Sequence, residues 1–257
     1  MDNGCSSDRF SRLALILGQE ALDRLKGARV MVVGLGGVGS SCAEALARGG
    51  LGSLILIDGD VVEESNINRQ ALAFSSTLGM AKVEAMRRMV GEINTDCQLF
   101  DRQVFLTPDN LQTVLSEFPR PDYVIDCIDT VSQKLALAEW CMAQGLPLLS
   151  AMGAANKLDP AYLKFAPIEK TMNCPLSKVI RRECRKRGIQ QLEVIFSSEP
   201  PVKINSFGEY SKAMTLGSMS YMPPIMGQML AGKVICRLAG LEDFTAWPAP
   251  SKEGKSR

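Results

Sequence analysis

Short apolar runs alternate with longer amphipathic stretches along most of the chain. Residues 30–33, 54–57, 123–128 and 146–151 are apolar but too short for buried helices, so they read as buried strands. Residues 97–104 alternate apolar and polar positions, the pattern of a half-buried strand. Between these runs the spacing is helical. Residues 9–26 place Phe10, Leu13, Leu17, Leu22 and Leu25 on one stripe and predict a single helix. A helix is expected from near Val38. Another, over 79–94, carries Met80, Val83, Met86, Val90 and Ile93 on one side. Thr107-Pro108-Asp109 predicts the start of a short helix, with Thr107 as cap and the proline at its first position. A helix over 131–144 completes the alternation. Such a series predicts an α/β fold: a Rossmann-like, mostly parallel sheet with helices on both faces and a smaller C-terminal elaboration.

The second part of the chain is less regular. Residues 153–168 read as a turn and strand, and 194–197 as a strand. Residues 176–188, LSKVIRRECRKRG, carry six cations and one acid. Lys178, Arg181, Arg182 and Arg185 recur at i, i+3, i+4 and i+7, so one helical face is basic. Residues 215–240 form an apolar stretch broken by Pro223-Pro224. A membrane span needs about 20 uninterrupted apolar residues; the prolines, Gln228, Lys233 and Arg237 predict a buried amphipathic helix and no stable span. A peripheral membrane association stays open. No repeat or long linker divides the chain. One domain over 1–257 is expected, with a nucleotide-binding core near 9–152, an elaboration near 153–245 and a disordered tail over 246–257.

Composition changes this picture mainly by exclusion. The net charge of +1 makes any basic surface a local one. The absence of histidine removes histidine triads, histidine metal sites and histidine acid–base catalysis within the chain. None of the eight cysteines forms a CxxC pair, so no zinc site is expected. With no signal-peptide pattern in the polar first 12 residues, free thiols in a reducing cytoplasm are expected.

The chemistry gathers around residues 28–69. Gly34, Gly36 and Gly39 form G-x-G-x-x-G, with Gly37 added, between a strand and a helix. Glycines let a backbone turn sharply and approach a phosphate, and the helix that follows points its N–H groups and positive dipole end there. Asp58 ends the next strand, 19 residues after Gly39, where a carboxylate accepts ribose hydroxyls. The stretch after it, DGDVVEESNINRQ, is too polar for a core and brings Asp60, Asn66 and Arg69. Lys82 falls in a first helical turn, a poor place for a cation unless an anion meets it. Asp129 follows another strand, so Asp58 and Asp129 both lie at strand carboxyl ends and can share one pocket.

GLGGVG together with DGDVVEESNINRQ, a lysine and D-x-x-D resembles the E1-like activating enzymes, the superfamily of ThiF, MoeB and the ubiquitin-activating enzymes. Segments TPDN, IDCID, KTMNCPLSK, VIFSSEPP and GSMSYMPPIMG, and the missing CxxC pairs, resemble its tRNA threonylcarbamoyladenosine dehydratase branch. The resemblance implies an ATP-dependent enzyme that adenylates the threonylcarbamoyl carboxylate on adenosine 37 of tRNA and promotes its cyclisation with loss of water. It implies a cytoplasmic homodimer using ATP and Mg²⁺, and allows a monovalent cation (Na⁺ or K⁺) and a sulfur-transfer partner protein. By this resemblance the glycines line the phosphates, Asp58 takes the ribose, Asn66, Arg69 and Lys82 hold the triphosphate, and Asp129 holds Mg²⁺. Arg12, or else Arg9, reaches the partner subunit's ATP. Lys178, Arg181, Arg182, Arg185 and Lys186 form the expected tRNA face. Cys184, or Cys174, is a candidate nucleophile, and the surrounding cations are expected to lower the Cys184 pKa.

Three other readings remain. An adenylating enzyme for a ubiquitin-like sulfur carrier would use the same site on a protein carboxylate. An NAD-dependent dehydrogenase explains Gly34 to Asp58 but gives Asn66, Arg69, Lys82 and Asp129 no task. A catalytically silent RNA-binding module would use only the basic helix.

Overall fold

A computed structural model describes residues 8–202 and 216–243; the expected tail over 246–257 lies outside them. Among the described residues seven strands form one sheet in the order β3-β2-β1-β4-β5-β7-β6. They are β1 (Arg29–Val33), β2 (Ser53–Asp58), β3 (Gln98–Gln103), β4 (Tyr123–Asp126), β5 (Leu148–Ala151), β6 (Leu163–Pro167) and β7 (Glu193–Ser197). All pairings are parallel except β6 with β7. The helices are α1 (Ser11–Leu17), α2 (Gln19–Gly27), α3 (Gly37–Arg48), α4 (Lys82–Ile93), α5 (Leu111–Ser116), α6 (Val131–Gln144), α7 (Pro175–Arg187) and α8 (Met222–Leu238).

The period of two along β1 explains why one apolar run builds two cores. Val30 and Val32 face a cluster shared with Leu46 of α3, Met86 of α4 and Leu230 of α8. Met31 and Val33 face the other side, with Leu115 of α5, Leu135 of α6 and Ile180 of α7. Full burial on both faces is what a central parallel strand requires, and it is why these runs lack polar positions.

Three local expectations need correction. The single helix over 9–26 is two helices, because Gly18 takes φ 78° and ψ 163° and breaks the backbone between α1 and α2. The regular helix after Thr107 begins only at Leu111. Thr107 and Asn110 instead bond each other: Asn110 Oδ1 accepts from the Thr107 amide at 2.7 Å and Thr107 Oγ1 from the Asn110 amide at 3.3 Å. Pro223 and Pro224 do not interrupt the C-terminal apolar stretch. They occupy the first turn of α8, where missing amide donors leave no helical bond unmade. That helix lies backbone-close on α3: a Cβ on Gly227 would sit 2.2 Å from the Val38 carbonyl oxygen. Among the described residues no helix is long and apolar enough to cross a membrane.

Candidate active site: a nucleotide cleft

The strand order reverses between β1 and β4, and a cleft of about 770 Å³ opens beyond their carboxyl ends. This is where an open parallel sheet leaves a crevice, because the chains leaving the two strands diverge to opposite faces. Its walls include Gly34, Gly36, Gly37, Asp58, Asp60, Asn66, Arg69, Lys82 and Asp129. Nine positions separated by up to 95 places in the sequence thus share one cavity, Asp58 and Asp129 among them.

The four glycines have different tasks. Gly34 has φ 89°, and a Cβ there would lie 2.8 Å from the Cys127 carbonyl oxygen. A Cβ on Gly39 would sit 1.7 Å from the Gly34 carbonyl oxygen, so Gly39 makes room for the turn and lies outside the cleft lining. At Gly37 the neighbours are Pro223 of α8 at 2.8 Å and Arg69. Only Gly36 has nothing within 4 Å of an added Cβ, and it lines the cleft. The open space therefore stands over Gly36, beside the amino end of α3, where amide donors and the helix dipole favour an anion.

Asp58 supports this turn as well as facing the cleft. Its Oδ2 accepts the Leu35 amide at 2.6 Å and its Oδ1 the Asp60 amide at 2.8 Å. Burial raises its pKa, against those amides and the nearby Lys82 ammonium, which lower it. Each carboxylate oxygen keeps a lone pair for a further donor such as a ribose hydroxyl. Lys82 is the first residue of α4, which begins three residues later than the pattern predicts. The anion its position demands is present: Asp60 Oδ2 lies 2.8 Å from Lys82 Nζ. Asn66 is buried, and its Oδ1 accepts the Glu63 amide at 3.1 Å, closing the turn that carries Arg69. Arg69 donates through Nη1 to the Ser65 carbonyl at 2.9 Å and to Asn68 Oδ1 at 2.8 Å, which holds the guanidinium over the cleft wall.

On the other side, Asp129 is exposed at the cleft surface. The loop that carries it rests on a buried cluster that sequence reasoning missed. Asp126 Oδ2 lies 2.8 Å from Lys134 Nζ and accepts the Ser150 hydroxyl at 2.6 Å. Its Oδ1 accepts the Ile128 amide at 3.0 Å, one residue before Asp129. A signal for it existed, since Lys134 stands in the first turn of α6 as Lys82 does in α4. Two more lining residues escaped notice. Phe105 is exposed, its ring so close over Gly59 that a Cβ there would meet it at 2.5 Å, and it offers the cleft an apolar face. Lys157 is buried, and its ammonium donates to the Asn173 carbonyl at 3.0 Å and to the Glu199 carbonyl. Desolvation lowers its pKa, opposed by Cys174 and Glu199. An exposed aromatic after a strand and a lysine in a glycine-containing turn are ordinary sequence features, so nothing marked either one.

Other expected residues lie outside this cleft. Arg12 is exposed on α1 and absent from the lining. Arg9 donates to the Ile93 carbonyl at 2.8 Å, which ties it to the end of α4. Cys184 faces the core beneath α7, with 1% of its surface exposed. The cations around it do not lower its pKa: burial pushes the thiol up to about 11, and of the neighbouring cations only Arg187 opposes the shift. That corrects the expectation of an activated thiolate. On α7, Lys178, Arg182, Arg185 and Lys186 are exposed, while Arg181 is half-buried and donates to the Thr171 carbonyl at 2.7 Å. Among the described residues no cluster of three or more Cys, Asp or Glu has metal-site geometry. A Mg²⁺ ion carried by a nucleotide needs only one or two carboxylates beside the phosphates, and Asp129 fits that requirement.

Fold and cleft together define a nucleotide-binding member of the ThiF family, to which the chain belongs: the family model matches residues 9–250. Among its relatives is the tRNA threonylcarbamoyladenosine dehydratase of Bacillus subtilis, 39% identical over 90% of this chain and 94% of that protein. The Escherichia coli enzyme of the same name has been solved with ATP and with AMP. Those structures are 31% and 32% identical, with TM-scores of 0.79 and 0.81. The ATP complex is matched over 91% of this chain and 96% of that one, the AMP complex over 90% and 94%.

Proposed function

We infer that this protein is an ATP-dependent tRNA threonylcarbamoyladenosine dehydratase, which adenylates the threonylcarbamoyl carboxylate on adenosine 37 and promotes its cyclisation. One observation carries the reading: Arg69, Lys82 and Asp129 share a single cleft with the open glycine turn. NAD binding would leave those three side chains without a purpose. The relatives named as dehydratases favour tRNA over a sulfur-carrier protein as the source of the carboxylate.

In this reading the amides at the start of α3 and the Arg69 guanidinium hold the phosphates of ATP. Phe105 offers the base an apolar surface, and Asp58 accepts the ribose hydroxyls. Lys82 leaves Asp60 to meet the phosphate charge that builds up as the carboxylate attacks phosphorus and pyrophosphate departs. Mg²⁺ held by Asp129 would neutralise part of that charge. A group of the same modified nucleoside then attacks the acyl carbon of the adenylate and expels AMP. Proximity makes this step effectively unimolecular, so no enzyme nucleophile is required. The water removed overall leaves as the oxygen transferred to AMP.

The active form in this reading is a homodimer. Arg12 reaches the partner's cleft from α1, since Arg9 is engaged with Ile93. Leu15 and Ile16, 87% and 81% exposed on the same helix, support an interface there. The cations of α7 face the tRNA. The deciding experiment incubates the protein with Mg·ATP and threonylcarbamoylated tRNA and weighs the nucleoside at position 37. Loss of one water with release of AMP is expected; an unchanged nucleoside rejects the reading. Pyrophosphate exchange that depends on a sulfur-carrier protein instead would select the alternative substrate.

A further inference from the structure

A second concavity, of about 540 Å³, lies at the far end of α7 between that helix and the segments around 167–170 and 188–191. Lys170, Arg181 and Arg185 line it against one acid, Glu169. That carboxylate is already engaged, accepting the Gln191 amide at 3.0 Å. Arg181 is oriented by Thr171, whose carbonyl and hydroxyl oxygens lie 2.7 and 2.8 Å from its Nη1. Lys170 and Arg185 are exposed and make no ion pair among the described residues. By contrast, the Glu183 carboxylate on α7 pairs with Arg182 and Lys186. The groove therefore gathers three cations against a single carboxylate.

The groove is tied to the nucleotide cleft by the helix itself. Cys174, Pro175 and Leu176, at the start of α7, line the cleft, while Arg181 and Arg185 line the groove. A helix of 13 residues spans about 20 Å. Lys178 and Arg182 stand exposed between its two ends. A chain of regularly spaced anions entering the cleft at one residue can follow this face to the groove. Guanidinium groups suit phosphodiesters because their planar fork bonds two phosphate oxygens at once. Gln191 brings an amide able to serve a sugar hydroxyl.

We propose that the groove formed by Lys170, Arg181 and Arg185 holds a backbone phosphate of the substrate RNA, about one α7 length from the nucleotide being modified. This rests on the tRNA reading above and extends it, because it makes recognition depend on RNA beyond the reacting nucleotide. The helix acts as a spacer with one end in the chemistry and the other on the polyanion.

The test reverses the two exposed charges, Lys170→Glu and Arg185→Glu, in the full-length protein. Two exposed reversals elsewhere, Lys26→Glu on α2 and Arg88→Glu on α4, together control for net charge. Binding of full-length tRNA is measured by filter retention across a salt series, beside the thermal shift given by Mg·ATP. The groove variant is expected to bind tRNA on the order of ten-fold more weakly, with a salt slope lower by about 1 to 2. Its KM for modified tRNA rises more than its kcat falls, and its response to ATP matches that of the wild type. The Lys26→Glu, Arg88→Glu protein behaves as wild type. Unchanged tRNA affinity and salt slope would overturn the proposal, as would loss of binding to an acidic polypeptide with tRNA binding intact. Failure of the wild type to convert modified tRNA would instead reject the assigned reaction, and the tRNA-binding comparison would still judge the groove. A milder pair, Lys170→Gln with Arg185→Gln, gives the same comparison should the reversals lower the melting temperature.

Discussion

Two lysine–aspartate pairs flank the route from the sheet to the cleft. They look alike at first: each lysine stands in the first turn of a helix, and each contact is 2.8 Å. They differ in their access to water. The Asp60 side chain is 52% exposed opposite Lys82, whereas Asp126 and Lys134 are 1% and 2% exposed. Water can solvate Asp60 when Lys82 turns to a phosphate, so that exchange costs little. Separating Lys134 from Asp126 would strand a charge in a medium that cannot solvate it. One pair is therefore a contact that a ligand can replace. The other is a fixed strut, which presents Asp126 Oδ1 to the Ile128 amide and so holds the loop of Asp129.

The comparison is broken most severely at the buried pair. Lys134→Met leaves Asp126 unpaired and is expected to cost about 3–5 kcal/mol, seen as a fall of about 10 °C in calorimetric melting. Asp126→Leu with Lys134→Met removes both charges and is expected to recover only part of that stability, because the buried Ser150 hydroxyl loses its acceptor. It also deprives Ile128 of its acceptor, so adenylation should stay impaired although stability partly returns. Equal recovery of stability and activity would show the strut to be packing alone. Lys82→Met is expected to do the reverse. Melting should change by about 1 kcal/mol or less, while adenylation falls by roughly 10²–10³-fold in a pyrophosphate-exchange assay. A melting loss as large as that of Lys134→Met would erase the difference between the two pairs.

The smallest effect concerns burial of a single thiol. The folded pKa of Cys184 is raised to about 11. The thiol is thus protonated in both folded and unfolded states below its ordinary range. Stability from keeping it neutral is complete there and declines as pH rises toward 11. Alkylation of Cys184 by iodoacetamide, followed by peptide mass spectrometry, is expected to be negligible near pH 8 and to increase only at strongly alkaline pH. Rapid labelling at neutral pH would restore the activated-thiolate reading.

Legibility along the chain follows the range of the interactions involved. The unit from β1 through the glycine turn and α3 to β2 could be read because its signals are local: a two-sided apolar run, glycines at fixed offsets and an acid at a strand end. The break at Gly18 was hidden because the apolar stripe continues across it, and only the backbone angles of that one residue separate α1 from α2. Lys134 carried the same misplaced-cation signal as Lys82, but its partner Asp126 comes from β4, 8 positions away, and is itself held by Ser150 of β5. Its meaning is therefore not written beside it. The basic face of α7 was visible as a spacing. That Arg181 is pinned by Thr171 and lines a groove with Lys170 was not, because those residues meet across a turn.

The amino-acid sequence by itself determined the α/β alternation, the phosphate-facing turn and the residue types able to manage a triphosphate, since these depend on periodicity and short offsets. The tertiary structure decided which of those residues share a cavity, which glycine faces open space, and which lysine can exchange its partner. Those questions turn on burial and on contacts between distant segments, and in a low-dielectric interior it is the surroundings, more than the identity of a residue, that decide what its charge can do.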